Sequence, residues 1–292
     1  MIPAEILKKI QQIQIRTRGV VTDAFAGQYH SVFKGQGMEF EEVREYVPGD
    51  DIRTIDWNVS ARMGHPFIKK FREERELTVM LVVDISSSQR FGSSDQLKRD
   101  LAGEVAAVLA YAAIKNNDRV GLILFTDRVE HALPPRKGSK HVLRVIRDVL
   151  YRQPEHPRTD IATALRYVNR ISHRRTVTFL ISDFFDQGFE PVLRTYARRH
   201  DLVAVIPRDA REMDLPPAGV IGWEDAESGQ PFLLDTSDPR TRRAFADHAR
   251  RRREELAQML AAAGVDAIEL DTSRPYTRDL VRFFRKRAAR QR

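Results

Sequence analysis

The sequence predicts a doubly wound α/β protein whose mostly parallel sheet is covered by helices on both faces. Short, continuous apolar runs are typical of strands buried on both faces. Here they alternate with segments whose apolar residues recur every three or four positions, as in amphipathic helices. This alternation is typical of βαβ units. Polar side chains follow where several of the runs end, which is the edge at which open α/β sheets bind ligands.

Five apolar runs predict the strands of the sheet. They lie at residues 77–83, 120–125, 177–181, 202–206 and 267–270. The runs are rich in Val, Ile and Leu and do not alternate with polar residues, so both faces of the sheet should be covered. Asn116, Asn117 and Asp118 break the pattern before the second run, and Ser182 and Asp183 end the third.

Amphipathic helices are predicted between the strands. They lie at about 95–115, 139–150 and 160–172, and two basic helices follow residue 239. A further helix is predicted at 2–18, where isoleucines recur every three or four positions. The apolar stretch 105–114 is expected to be the buried side of a helix, because a membrane span needs roughly 18–20 apolar residues.

Two domains are predicted, with a boundary between residues 76 and 77. Residues 1–76 would form an N-terminal module of a helix and short strands, since the region after Gly19 is charge-dense and lacks helical periodicity. Residues 77–292 would form the α/β domain. Residues 207–236 interrupt its rhythm with prolines, glycines and short apolar runs, which indicates a hairpin-like insertion.

Composition argues against several classes of protein. The chain has no cysteine, which excludes disulfides, thiolate metal sites and thiol nucleophiles. Its first residues lack the basic start and apolar core of a secretory signal, so a cytoplasmic location is expected. The net charge of +8 lies entirely from Pro239 onward, with 15 basic against 7 acidic residues. Without a recognised nucleic-acid module, such basic helices favour solvent or acidic proteins over nucleic acid.

A cluster of oxygen ligands is predicted at the carboxyl edge of the sheet. Asp84, Ser86 and Ser88 alternate after the first strand, Asp183 follows the third, and Thr159 precedes the intervening helix. Two carboxylates and three hydroxyls suit Mg²⁺, Mn²⁺ or Ca²⁺ better than Zn²⁺ or Cu²⁺. Mg²⁺ takes six ligands, so this set would leave a position open for an incoming Asp or Glu. Taken alone, a Ser-rich turn is more simply a helix cap or a local turn.

The same residues resemble the metal-ion-dependent adhesion site of von Willebrand factor A domains. The matching segments are Asp84-x-Ser86-x-Ser88, residues 158–165 with Thr159, and residues 179–183 ending in Asp183. The resemblance implies a Rossmann-like fold over roughly 77–206 and onward to 271. It also implies that the three hydroxyls bind the metal, while the two aspartates bind it directly or through water. Ser87 stands where many members have Gly, which alters loop freedom but removes no ligand.

An upstream segment resembles the bacterial family called domain of unknown function 58. The resemblance rests on Arg44-Glu45-Tyr46-x-Pro48-Gly49-Asp50-Asp51-x-Arg53-x-Ile55-Asp56-Trp57, followed by Ser60-Ala61-Arg62. Members are commonly encoded beside MoxR-type AAA+ ATPases, which implies an adaptor or chaperone-like role with such a partner. The segment fits an ion-pair lattice as well as it fits a partner surface. The surface candidates are Arg44, Asp50, Arg53, Asp56 and Trp57, although Trp57 on its own favours packing.

Aromatic residues flank the predicted metal site. At least one of Phe184 and Phe185 is expected in the core, and the other would form an apolar rim around the metal. Phe91 is open between the same two roles. Trp223 is expected to pack rather than to anchor a partner.

The predicted function is a non-enzymatic interaction protein that binds its partner through a Mg²⁺-type cation. One alternative is a Mg²⁺-dependent phosphoryl hydrolase, because a strand-terminal aspartate followed by hydroxyls resembles the haloacid dehalogenase-type phosphatases. Those enzymes need a second aspartate where this chain has Ser86, and no lysine or histidine is clearly placed to assist. The other alternative is a nucleic-acid-binding factor that uses the basic C-terminus, with steep salt dependence.

Overall fold

The computed structural model describes residues 29, 32–33, 37–74, 76–94, 96–227 and 229–290. The helix predicted at 2–18 lies outside these residues. The chain divides into two compact units, one formed by Phe33–Leu77 and the other by Thr78–Arg292 together with residues before Phe33. Tyr29 belongs to the second unit, where its ring lies 6.0 Å from that of Phe284.

The smaller unit is built on an antiparallel strand pair. Strand β1 (Gly37–Glu45) pairs with β2 (Phe67–Glu74), and a short helix α1 (Trp57–Met63) lies between them in the chain. The Asp56 side chain begins α1 by accepting the amides of residues 58 and 59. Gly64 ends it at φ 77°, a left-handed conformation that favours glycine.

The larger unit contains a six-stranded sheet. Its strands are β3 (Thr78–Asp84), β4 (Arg119–Phe125), β5 (Val129–Arg136), β6 (Val177–Ile181), β7 (Asp201–Arg208) and β10 (Asp266–Asp271). A separate hairpin is formed by β8 (Val220–Glu224) and β9 (Pro231–Asp235). The strand order is β10-β7-β6-β3-β4-β5, and every neighbouring pair is parallel except β4 with β5.

Helices cover both faces of this sheet. They are α2 (Lys98–Lys115), α3 (Ser139–Tyr151), α4 (Ile161–Ile171), α5 (Glu190–Arg199), α6 (Pro239–Ala262) and α7 (Thr277–Arg290). Met80 and Val82 of β3 pack in one cluster with residues of α4, α5 and α6. Because side chains alternate along a strand, Leu81 faces the opposite side, where it is fully buried. The predicted doubly wound, mostly parallel α/β fold is therefore confirmed.

Two elements of the larger unit were not predicted. The edge strand β5 contains Pro134 and Pro135, which argue against a central strand but are tolerated at a sheet edge. Helix α5 is short and mostly polar, so its apolar stripe is carried by only a few residues, with Leu193 and Tyr196 buried. The insertion predicted at 207–236 does contain a hairpin, but Pro207 and Arg208 still belong to β7.

The basic C-terminal helices carry many ion pairs with the sheet. Arg287 contacts the Asp201 carboxylate at 2.6 Å, and Arg290 contacts Asp266 at 3.0 Å. Arg253 of α6 bonds to Glu269. These pairs satisfy part of the C-terminal positive charge inside the protein and weaken the nucleic-acid alternative. Among the described helices, none is both long enough and apolar enough to cross a membrane.

The chain order places a topological switch point between β3 and β6. From β3 the chain first moves to β4 on one side, and it later returns to β6 on the other. Ligands of open α/β sheets bind in the crevice outside the carboxyl ends of such strands. Here those ends carry Asp84 and the Ser182-Asp183 pair.

Candidate metal centre

The end of β3 brings three predicted ligands together. Asp84 is 1% exposed, and its Oδ1 accepts the Ser86 amide at 2.9 Å. The chain then turns into a short 3₁₀ segment, Ser87–Arg90, which places Ser86 Oγ 3.1 Å from Ser88 Oγ. Ser182 Oγ, after β6, donates to Asp84 Oδ2 at 2.7 Å. The turn thus directs a carboxylate and two hydroxyls into the switch-point crevice.

The Thr159 segment is joined to this turn by backbone hydrogen bonds. The Ser87 amide donates to the Pro157 carbonyl at 3.0 Å, a backbone bond that any residue except proline can make. The Asp160 side chain accepts the Thr163 amide at 2.7 Å and begins α4. The Thr159 hydroxyl is buried, and a side-chain hydrogen bond links it to Glu227. A hydroxyl and a carboxylate that meet in a partly buried space offer oxygen ligands to a cation.

Asp183 is held by a buried lysine that sequence reasoning missed. Lys98, at the start of α2, is 1% exposed and donates to Asp183 Oδ2 at 2.7 Å. It also donates to Glu212, which lies in the turn after β7. Asp183 Oδ1 accepts the Phe185 amide at 3.2 Å. Sequence reasoning missed both residues, because neither Lys98 nor Glu212 lies near a recognised motif in the sequence.

The charged side chains in the crevice interact strongly with one another. Burial, reinforced by the nearby Asp183 carboxylate, raises the pKa of Asp84 to about 7. Burial alone would lower the pKa of Lys98, but Asp183 and Glu212 outweigh burial and raise it, so Lys98 is charged. Lys98 is paired with Asp183 and Glu212, whereas Asp84 is bonded to a serine hydroxyl and an amide. A cation beside Asp84 would relieve both its burial cost and its repulsion from Asp183.

The backbone after Asp183 is held in an uncommon conformation. Phe184 has φ 58°, which costs a non-glycine residue roughly 1–2 kcal/mol. Its ring is buried 5.8 Å from Phe189, whereas the Phe185 ring lies under two cations, Lys98 Nζ at 5.2 Å and the Arg252 guanidinium at 3.7 Å. The prediction that at least one of the two phenylalanines packs in the core is confirmed.

A cavity of about 910 Å³ opens beside the crevice. Its wall includes Ser88 and Asp183 on the sheet side, Arg252 on α6, and Trp223 and Glu227 on the β8–β9 hairpin. Trp223 packs against aromatic neighbours, as expected, with ring centroids 6.1 Å from Phe91 and 5.8 Å from Phe245. Glu227 was missed by the sequence analysis, because an acidic residue in a hairpin tip carries no signal of its own.

The donor set fits a hard cation but not a soft one. Among the described residues, no group of three or more His, Cys, Asp or Glu side chains is arranged to hold a metal. The oxygens that do converge are mixed carboxylates and hydroxyls, which suit Mg²⁺ and related ions. The buried Asp84 carboxylate, which Asp183 repels, is the strongest sign that the residues present fit such an ion.

In the smaller unit, the predicted partner surface is in part an ion-pair lattice. Arg44 and Asp50 form a two-bond pair at 2.7 and 2.9 Å, and the Asp56 carboxylate lies 3.1 Å from Lys69. Trp57 is 71% exposed, so the expectation that it packs in the core was wrong. It is the first residue of α1. Arg53 is likewise exposed.

The fold and the site together define an α/β protein with an oxygen-rich cluster at its switch point. Residues 42–255 match the family described as Protein of unknown function DUF58. The uncharacterised protein Rv1480 of Mycobacterium tuberculosis is 32% identical over 283 residues, which cover 95% of this chain and 88% of that protein. The chain therefore belongs to the DUF58 family, as its 44–57 segment indicated.

Two solved structures show partial likeness. The conserved hypothetical protein BatB from Bacteroides thetaiotaomicron aligns with a TM-score of 0.45 and 16% identity, over 73% of this chain and 99% of that one. The SpRpn10 VWA domain aligns with a TM-score of 0.38 and 10% identity, over 70% of this chain and 94% of that one.

Proposed function

We propose that this protein is a non-enzymatic interaction protein that binds a partner's carboxylate through one divalent cation, Mg²⁺ or a related ion. The residues that would hold the cation, in a site of the von Willebrand A adhesion type, are Asp84, Ser86, Ser88, Thr159 and Asp183. The observation that carries the proposal is the buried Asp84 carboxylate, which lies close to the Asp183 carboxylate and to a pair of serine hydroxyls in one crevice.

The roles of these side chains follow from the hydrogen bonds they already make. Ser86 and Ser88 are 3.1 Å apart, and their oxygens retain lone pairs for a cation. Asp84 is fixed by the Ser86 amide and by Ser182, so it presents its carboxylate in one orientation. A bound Mg²⁺ would supply a positive centre with positions not filled by the protein, and a carboxylate oxygen suits such a position.

The surroundings of the crevice favour an acidic partner. Arg251, Arg252 and Arg253 of α6 line the cavity beside the proposed site. An Asp or Glu that reaches the cation would place neighbouring acidic residues near this helix, where charge complementarity speeds association. The family resemblance points to a MoxR-type AAA+ ATPase as the partner, with this protein in an adaptor or chaperone-like role.

Titration of Mg²⁺ and Mn²⁺ into the EDTA-treated full chain tests the metal site. We expect binding near one equivalent, abolished in Asp84→Ala. The matched control is Asp271→Ala, because Asp271 ends β10 at the same edge of the sheet and its carboxylate accepts from nearby Ser273. Equal binding by both variants, or no binding by the unaltered chain in the millimolar range, would contradict the proposal.

Partner binding and catalysis are tested separately. A purified MoxR-type ATPase should be retained by the immobilised protein in Mg²⁺, released by EDTA, and not retained by Asp84→Ala. Because Lys98 lies beside Asp183, hydrolysis of p-nitrophenyl phosphate should be measured in parallel. Turnover that disappears in Asp84→Asn and in Lys98→Met would favour the phosphoryl hydrolase over the adaptor.

A further inference from the structure

The β8–β9 hairpin is anchored on the loop that carries two of the proposed ligands. Its strands pair from Val220 with Asp235 to Glu224 with Pro231. Trp223 packs on Phe91, which directly follows the turn containing Ser88, and on Phe245 of α6. The hairpin tip is closed by Asp225, whose amide donates to the Gln230 carbonyl and whose carbonyl accepts from Gly229. This packing fixes the tip beside the crevice.

Glu227 in this tip faces the proposed cation site. It lines the same cavity as Ser88 and Asp183, and its Oε1 is buried without a hydrogen-bond partner in the described chain. Its carboxyl is hydrogen-bonded to Thr159 and is repelled by the Asp183 and Asp186 carboxylates, so it lies beside two of the proposed ligands. Glu224, three residues earlier on the same hairpin, is exposed. Only one of the two glutamates is thus directed inward.

Burial of the Glu227 Oε1 atom needs a physical reason. A carboxylate oxygen that is buried without a partner is costly, and a glutamate in a hairpin tip could reach water instead. Arg252 supplies some compensation, since the two charges interact, but Asp183 repels the carboxylate at the same time. The side chain of Thr159, which is 8% exposed, is hydrogen-bonded to Glu227, so the two groups meet beside Asp183. A cation between these oxygens would satisfy both.

We propose that Glu227 is an internal ligand of the cation that the proposed function places on Asp84, Ser86, Ser88, Thr159 and Asp183. The inference rests on that proposed site. Glu227 would occupy, directly or through a water, the position that a partner's Asp or Glu fills in the complex. A tethered carboxylate competes at millimolar effective concentration, so the partner must displace the hairpin tip before it binds.

The test compares Glu227→Gln with Glu224→Gln as the matched control on the same hairpin. In calorimetric titration of the EDTA-treated full chain, Glu227→Gln should bind Mg²⁺ about tenfold or more weakly than the unaltered chain. Acetate serves as the probe for an external carboxylate. Its binding is measured by the change it causes in water proton relaxation by bound Mn²⁺. Compared at full occupancy by Mn²⁺, acetate should bind Glu227→Gln more tightly than the unaltered chain, and Glu224→Gln should match the unaltered chain in both titrations.

Trp223 provides a readout that does not depend on affinity. With Trp57 changed to Phe, Trp223 is the remaining tryptophan, and it lies four residues from Glu227. Mg²⁺ should alter its fluorescence in the unaltered hairpin and in Glu224→Gln, but much less in Glu227→Gln at equal occupancy. Equal Mg²⁺ affinities and equal fluorescence changes in the two variants would overturn the role of Glu227 and leave the site intact. No Mg²⁺ binding to any form would overturn the site itself.

Discussion

Asp84→Asn should make the metal-free protein more stable at neutral and alkaline pH. The unaltered Asp84 is buried, and its pKa lies at about 7 against an ordinary value of 3.8. In the unfolded chain the carboxyl ionises near pH 4, whereas in the folded chain it does so only near pH 7. Between pH 4 and pH 7 the folded chain therefore binds one proton that the unfolded chain has lost. The free energy of unfolding falls across this range as the pH rises, and the stability present below pH 4 is lost towards pH 7.

The magnitude follows from the distance between the two pKa values. Each pH unit is worth about 1.4 kcal/mol, so about three units give an upper limit near 4 kcal/mol. Asn keeps an oxygen for the Ser86 amide, and the Ser182 hydroxyl can turn to accept from its amide group. This rearrangement costs about 1 kcal/mol. Asp84→Asn should thus gain up to about 3 kcal/mol at pH 8 in EDTA and lose about 1 kcal/mol at pH 4.

Urea unfolding in EDTA between pH 4 and pH 8 measures this gap, with Trp223 fluorescence as the reporter in a Trp57→Phe background. The control is Asp209→Asn. Burial raises the pKa of Asp209, but hydrogen bonds from Ser93, the Arg211 amide and Thr272 outweigh burial and lower it. Its stabilising contribution is therefore lost as the pH falls, the opposite trend. Parallel pH profiles for Asp84→Asn and the unaltered chain, or a less stable variant at pH 8, would refute the reasoning.

Three further outcomes are expected from stability measurements. Saturating Mg²⁺ at pH 8 should stabilise the unaltered chain by about 2.7 kcal/mol at 100 times Kd and leave Asp84→Asn unchanged, as thermal shift would show. Lys98→Met should cost about 3–5 kcal/mol in urea unfolding, because it leaves two buried carboxylates facing each other. The control is Arg194→Met, which removes an exposed ion pair and should cost under about 1 kcal/mol. Gly121→Ala should lower the free energy of unfolding by about 1–3 kcal/mol, since the new Cβ would lie 2.6 Å from the Met80 sulfur. Gly222→Ala, with open space around it, should leave the free energy of unfolding unchanged.

The sheet could be predicted because its strands are buried on both faces. Residues 177–181 form a strand with the predicted bounds, and the run at 77–83 is shifted by a single residue. A strand that is buried on both faces needs an uninterrupted apolar run, and few other secondary-structure elements do. Strand β5 and helix α5 escaped prediction because an edge strand and a surface helix bury too few side chains to leave a clear pattern. An element that packs on one side only has few apolar residues, so its apolar pattern is short.

The candidate site could be predicted only where its residues follow strand ends. Asp84 and Asp183 are fixed by the strands before them, so their meeting at one edge follows from the topology. Lys98 and Glu227 reach the same place from a helix start and a hairpin tip, and their positions depend on packing that no local pattern encodes. Trp57 was misjudged for a related reason, because a large aromatic side chain favours burial on average but says nothing about one particular surface.

The charge of the crevice gives an independent reason to expect a divalent ion. Asp84, Asp183, Glu212 and Glu227 carry four negative charges when ionised, and Lys98 and Arg252 supply two positive charges. The remainder is two negative charges in a buried space, which one divalent cation balances and a second lysine would not. Lys98 already neutralises Asp183 and Glu212 in part, so Asp84 is the carboxylate that most needs the ion. Removal of Asp84 should therefore weaken metal binding more than removal of Asp183, and comparison of Asp84→Asn with Asp183→Asn by Mn²⁺ titration would show the order.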